Sequence, residues 1–291
     1  MKKILVATDF SERSDRAIRR ATLLARTFDA ALLLVHVIDD DQPQRIVRAE
    51  QQASADLLAA QTRSLREVDG LRCEFRIVFG EPFEGITQLA REANADLLVI
   101  GPHRRQALKD VFVGTTAERI IRSSDRPVLM ANATPAGPYR HGLVASDLSE
   151  CSGDALNAVQ SLGLSQHMKV SLIHVFDAVA LWAQSRASLS EDEVKDYLDD
   201  EEERAAAELS AFLAKLGLDP MPQILKPATA PVAQVISSVA RDIATDLVIV
   251  GTHGRTGIAK MLLGSVTEEL LRAADRDVLA VPPRRAGQGA A

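Results

Sequence analysis

Cysteine is scarce in this sequence, excess positive charge and long apolar runs are missing from it, and each lack removes a class of function. The two cysteines, Cys73 and Cys151, stand far apart with no C-x-x-C spacing, so neither a disulfide framework nor a zinc knuckle is expected. Lys and Arg number 34 against 40 Asp and Glu, a net charge of −6. That sign argues against general affinity for nucleic acid, whose phosphates demand a basic face, and leaves open only a local basic patch. No run approaches the roughly 18 apolar residues that a membrane-spanning helix needs. Met-Lys-Lys passes straight into a strand-like segment with no secretory h-region, so a cytoplasmic protein with no membrane partner is expected. No Walker loop G-x-x-x-x-G-K-[S/T] occurs either, and no base is visibly placed to activate water.

What the sequence does contain is a repeat. ILVATDFSERS (4–14) is echoed by LVASDLSECS (143–152), and LLLVHVID (32–39) by VSLIHVFD (170–177). Asp9 answers to Asp147 and His36 to His174, each 138 positions later, whereas Gly101 answers to Gly251 and Arg122 to Arg272, each 150 positions later. The second copy has therefore gained 12 residues between His174 and Gly251. Much of that gain is expected in AVALWAQSRASL (178–189), which carries the single tryptophan, Trp182; its plain reading is packing on its own domain, and closure over the site is the alternative. A Pro- and Gly-containing stretch, TPAGPYRH (134–141), reads as the linker, giving domains at 1–134 and 139–283.

Each copy alternates short apolar runs with segments of helical period, the pattern of a parallel sheet covered by helices on both faces. In the first copy strands are expected at 3–8, 31–38, 74–79, 96–100 and 127–131, nearly continuous in Val, Leu and Ile as strands buried on both faces must be. Ala17, Ile18, Ala21, Leu24 and Ala25 recur at helical spacing after a capping Ser11, and Ile86, Leu89, Ala90 and Ala93 do so after Pro82. In the second copy Val232, Val235, Ile236, Val239 and Ile243 repeat the plan, and SEDE at 190–193 reads as a capping box opening a long helix. The acidic run 199–203 on that helix reads as a solvated face, and the closing PPRRAGQGAA as disordered. The fold class is α/β: two tandem Rossmann-like domains, each a five-stranded parallel sheet. In such sheets ligands bind at the carboxyl ends of the strands, where the winding direction reverses.

The segment GTHGRTGIAKMLLGS (251–265) would lie there if the fourth strand runs beside the first. Bare glycines let a phosphate chain approach backbone N–H groups, and a helix N-terminus after Gly264 favours an anion. A second reading stands beside that one: Ser265 and Glu268 form an S-x-x-E capping box, and Gly251 and Gly254 simply turn the chain. His103 and His253 hold the same slot in the two copies and either polarise a phosphate or pack in their loops. His36 and His174 fall inside buried runs and read as core histidines, since no second metal ligand lies at a suitable spacing. Asp9 and Asp147 either cap the following loop or meet a ligand; ligand contact is the expectation for Asp147, and Asp9 is left open.

The spacing G-x-x-G, nine residues, G-[S/T], here Gly251, Gly254, Gly264 and Ser265, resembles the ATP-binding motif of the universal stress protein family. It follows a DLVIVG strand and is preceded by an Asp-ended first strand and an IHV second strand; the resemblance spans the chain as a tandem pair. It implies the adenine nucleotide alpha hydrolase-like fold and, because single-domain members dimerise, a pseudo-dimer within one chain, with a further homodimer open. It also implies ATP as ligand, with adenine near Ser146, Asp147 and the backbone of Val175, and ribose and phosphates near Gly251, His253, Gly254, Gly264, Ser265 and Val266. Mg²⁺ would ride on the phosphates, since no carboxylate cluster in the sequence specifies it.

The first copy keeps Gly101, Gly114 and Thr115 but carries Arg104, followed by Arg105, in place of the middle glycine. Its weaker candidates are Asp9, Val37, Gly101, Gly114 and Thr115, around a degenerate site in which arginine fills the nucleotide's space or pairs with another anion. Three classes of function follow. The first is an ATP-dependent stress-response regulator. The second is an ATP-consuming enzyme, against which stands the lack of the S-G-G-x-D-S and H-x-G-H motifs of adenylating relatives, slow hydrolysis staying open. The third is a ligand-free interaction module.

Overall fold

The apolar runs become strands and the amphipathic stretches become helices that cover them. The computed structural model describes residues 1–102, 115–178, 190–218, 220–254, 263–273 and 275–284. His103, Arg104, Arg105, Gly114, Trp182 and residues 285–291 lie outside the described residues. In chain order the first copy runs β1 (Lys3–Ala7), α1 (Glu12–Phe28), β2 (Ala31–Ile38), α2 (Gln44–Glu67), β3 (Cys73–Phe79), α3 (Pro82–Glu92), β4 (Leu97–Ile100), α4 (Thr116–Ser123) and β5 (Val128–Met130). The second runs β6 (His141–Ser146), α5 (Glu150–Ser161), β7 (Lys169–Phe176), α6 (Glu191–Leu216), β8 (Gln223–Pro227), α7 (Val232–Asp242), β9 (Leu247–Gly251), α8 (Ser265–Ala273) and β10 (Asp277–Val281). Among the described residues no helix is long and apolar enough to cross a membrane.

Helix starts follow local chemistry. The Ser11 hydroxyl accepts from the Ser14 amide at the start of α1, and α3 begins with Pro82, whose missing N–H costs nothing in a first turn. Ser190 and Glu193 form the full reciprocal capping box at α6.

The strands form one ten-stranded sheet in the order β3-β2-β1-β4-β5-β10-β9-β6-β7-β8. Within each copy all neighbours are parallel, and the first strand does lie beside the fourth: Ile4 opposes Leu97, and Gly142 opposes Leu247. One face is packed by α1, α2, α5 and α6 through residues such as Leu24, Leu58, Leu156 and Leu209, and the other by α3, α4, α7 and α8 through Ile86, Ile120, Ile236 and Leu271. The expectation of burial on both faces fails for β3, where Glu74 and Phe79 are exposed. It is the outermost strand of its copy and alternates as a one-sided strand does.

The copies join where β5 meets β10, the one antiparallel pairing among the described residues, with Leu129 opposite Leu279. Beside that ladder the Asp277 carboxylate, fully buried, accepts from Arg20 Nε at 2.7 Å, the Tyr139 hydroxyl at 2.6 Å and the Ala133 amide at 2.9 Å. Arg20 also donates to the Gly137 carbonyl and stacks over the Tyr139 ring. Burial pushes the Asp277 carboxyl above its ordinary value; burial and the adjacent carboxylate push the Tyr139 phenol up as well.

Candidate functional site

Both copies end their first strand in the same turn. Leu148 adopts φ +62° and Phe10 φ +59°, a left-handed conformation that a non-glycine side chain adopts at a cost of roughly 1–2 kcal/mol. Local polar groups hold it: the Leu148 amide donates to Ser146 Oγ, which also bonds Ser152 Oγ, while in the first copy the Phe10 amide donates to Thr8 Oγ1, itself bonded to Ser14 Oγ. The Ser149 amide donates to Asp147 Oδ1, and the Ser11 amide to Asp9 Oδ1, each at 3.1 Å. The capping reading of both aspartates therefore holds. Ser146 faces the same turn with its hydroxyl engaged in that network. His174 Nδ1 meets the Ser146 carbonyl and His36 Nδ1 the Thr8 carbonyl, both at 2.9 Å, fixing the strand ends as core histidines.

In the second copy a cavity of about 350 Å³ opens at these strand ends, and all nine of the second-copy candidates line it: Ser146, Asp147, Val175, Gly251, His253, Gly254, Gly264, Ser265 and Val266. They converge from the ends of β6, β7 and β9 and the start of α8. Apolar side chains from Ile173, Val232, Ile236 and Val250 form part of the wall.

The three glycines divide into two kinds. A Cβ on Gly251 would lie 2.9 Å from both the backbone oxygen and the sulfur of Cys151, so glycine is demanded there by the approach of α5, with no ligand needed. Gly101 is equivalent, 2.7 Å from the Arg13 carbonyl oxygen. A Cβ on Gly264 would meet only ordinary contacts, the nearest at 3.5 Å, and one on Gly254 would lie 2.9 Å from Asp147 Oδ2. Packing thus explains Gly251 and Gly101, while Gly254 and Gly264 face the cavity.

The S-x-x-E capping box expected at Ser265 is not formed among the described residues. Ser265 is already helical, and its exposed hydroxyl has no hydrogen-bond partner there. The Gly264 amide donates to the Thr252 carbonyl at 2.9 Å, and the first bond of α8 runs from the Glu268 amide to the Gly264 carbonyl. The amides of Ser265, Val266 and Thr267 precede that bond, so they are the ones a helix N-terminus leaves for an anion. In the first copy Thr115 is a true N-cap, its hydroxyl accepting from the Glu118 amide. His253 Nδ1 bonds the Thr252 hydroxyl, its Nε2 is buried without a partner, and burial holds its pKa below the ordinary value. A neutral ring is no counter-ion for phosphate.

The first copy places Asp9, Val37, Gly101 and Thr115 around a cavity of its own. There Arg13 stands where the second copy has Cys151, and its guanidinium lies 3.5 Å from the Asp9 carboxylate. Sequence reasoning missed that arginine, and it missed Glu201, Arg204 and Glu208 of α6, which line the second cavity. The acidic run read as a solvated face is one at Asp199, Asp200, Glu202 and Glu203, but Glu201 turns inward. Among the described residues three acids cluster only at Asp39, Asp40 and Asp41, all exposed after β2 and outside the second cavity.

The universal stress protein family model matches residues 1–132 and again 138–282. Universal stress protein E of Salmonella typhi is 23% identical across 97% of this chain and 94% of its own length. One of the universal stress proteins of Methanocaldococcus jannaschii is 24% identical over 151 residues, 44% of this chain and 93% of that protein. Among solved structures, a universal stress protein from Archaeoglobus fulgidus shares the fold with a TM-score of 0.70 at 18% identity, covering 97% of this chain and 98% of that one. With one family match on each half of the ten-stranded sheet, the chain belongs to the universal stress protein family as a tandem of two copies.

Proposed function

We propose that the second copy is an ATP site and that the chain is a nucleotide-dependent stress-response regulator. The observation that carries this reading is the convergence of nine residues from four separated segments on one cavity, with a helix N-terminus and the uncrowded Gly264 on the same wall. The amides of Ser265 and Val266 supply donors and a positive dipole end for phosphate, and a side chain at Gly264 would stand between them and a ligand. The Asp147 carboxylate accepts from base or sugar hydroxyl donors, and the Val175 backbone borders the base. Mg²⁺, if bound, is held by the polyphosphate, since among the described residues no three acids of the cavity lining bring their oxygens within 4.8 Å of one another. The functional units are 1–134 and 139–283, arranged as a dimer within one chain.

No nucleotide is assigned to the first copy, where the Arg13 guanidinium neutralises the Asp9 carboxylate. Regulation then follows from population shift: ATP bound to one state of the tandem favours that state by its differential affinity. The test is thermal unfolding with and without ATP. Ligand at roughly a thousand times its Kd stabilises by about 4 kcal/mol. Gly254→Arg places a long cation against Asp147 and should abolish that gain while the apo protein still folds. A gain unchanged by Gly254→Arg would refute the placement.

A further inference from the structure

The second cavity has a charged wall that the nucleotide reading leaves unused. Glu201, Arg204, Ala205 and Glu208 recur at helical spacing along one stripe of α6, and all four line the cavity. Ala205 is buried, and the next turn carries Leu209 into the core, so the stripe is held against the sheet. Arg204 pairs with Glu201 through Nη2 and lies 4.0 Å from Glu208 through Nε. The Glu201 side chain is only 12% exposed, whereas Arg204 is 64% exposed. Glu201 is therefore an inward carboxylate steadied by an outward cation.

Strand order places this wall. β6, which Asp147 follows directly, lies between β9 and β7; α8 starts beyond β9, while α6 packs over β7 and β8. The cavity thus has a helix N-terminus on the β9 side and, on the β7 side, the carboxylates of Asp177, Glu201 and Glu208 with one guanidinium among them. A polyphosphate is attracted to the first and repelled by the second. Apolar Val175, Val232 and Ile236 line the same cavity, suited to a flat base.

We propose that Glu201 is a further acceptor for the exocyclic amine of the base, whose two N–H donors it shares with the acceptors at the strand ends, and that Arg204 is a positioning residue that holds the Glu201 carboxylate in place. This rests on the second cavity being a nucleotide site. An amine donor adds a second hydrogen bond to the inward carboxylate beside that from Arg204; a carbonyl at the same ring position would set oxygen against oxygen. The first copy lacks the arrangement: aligning the core residues Leu58 and Leu209 sets Glu50 opposite Glu201, but Ala53 and Leu57 where Arg204 and Glu208 stand. Glu50 lies 3.9 Å from His36 Nε2 instead.

Titration calorimetry with ATP, ITP and adenosine separates the two ends of the site. The wild-type chain should prefer ATP to ITP, which differ in amine against carbonyl. Glu201→Leu should reduce that preference roughly tenfold, the worth of a charged hydrogen bond, while keeping the preference for ATP over adenosine. Arg204→Met should reduce it in part, and Glu201→Gln, which keeps an acceptor oxygen and the side-chain shape, should restore part of it. Gly264→Ala should do the reverse, eroding ATP over adenosine and sparing ATP over ITP. An unchanged ATP-to-ITP ratio in both Glu201 variants overturns this inference alone, as does loss of the ATP-to-adenosine preference in Arg204→Met, which would put α6 at the phosphates. A wild-type chain that takes up no nucleotide overturns the ATP site itself and this reading with it.

Discussion

Glycine at position 251 and glycine at position 264 look alike in a motif and differ in cause. Gly251→Ala must displace the backbone of α5 at Cys151, and overpacking of that kind costs about 1–3 kcal/mol. Gly264→Ala meets no close atom and no positive φ, and the gain from a stiffer unfolded chain is offset by the poorer N-cap that alanine makes, so the apo protein should keep its stability to within about 1 kcal/mol. The expected outcome is a crossed pattern in urea titrations with and without ATP: Gly251→Ala lowers the apo midpoint, whereas Gly264→Ala leaves it in place and loses the nucleotide increment. His253 gives a pH signature at the same scale. Burial lowers its pKa below about 6.5, so the folded chain resists a proton that the unfolded chain accepts. Stability from this group is present above about 6.5 and is lost as pH falls through the lowered value. Thermal melts between pH 7 and 5 should therefore fall less steeply for His253→Gln than for the wild type.

At the scale of elements, legibility followed periodicity. The strands and the helix starts at Ser11, Pro82 and Ser190 were readable because an apolar run and a capping hydroxyl act within a few residues of themselves. The wall formed by α6 was not, because an acidic stripe at helical spacing has the same pattern whether it faces water or a cavity. Only the packing of Ala205 and Leu209 against the sheet decides which carboxylate turns inward. The position of the inserted residues was readable from the repeat. Five residues, 39–43, separate β2 from α2, whereas 14 residues, 177–190, separate β7 from α6. α6 thus depends on its own cap at the end of a long connection. Ser190→Ala removes one arm of the capping box and should lower global stability by about 1 kcal/mol. Chemical denaturation would register that as a shifted midpoint with an unchanged slope.

The whole molecule depends on a contact that no local pattern announces: Arg20 and Asp277 are separated by 257 positions and meet only once β5 has paired with β10. The pair is asymmetric, since the repeat sets Ala158 at the position of Arg20 and Pro127 at that of Asp277. It therefore serves the tandem chain and is not inherited by both copies. Burial raises the Asp277 carboxyl even against Arg20 and Tyr139, which means that ionising it in place costs folding free energy. The stability tied to that carboxyl is present below its ordinary value of about 3.8 and declines as pH rises through the raised one. Such a pair contributes little net stability against an apolar replacement of the same shape, yet breaking it leaves a buried charge without its counter-ion. Arg20→Met alone should then destabilise by about 3–5 kcal/mol, and Asp277→Leu by a similar amount, whereas the double variant should recover most of the loss. The double-mutant cycle, measured by guanidinium unfolding, reads the coupling directly. Because the network joins the seam, the single variants should also separate the unfolding of the two copies into two steps, of which only the one belonging to the second copy moves when ATP is added.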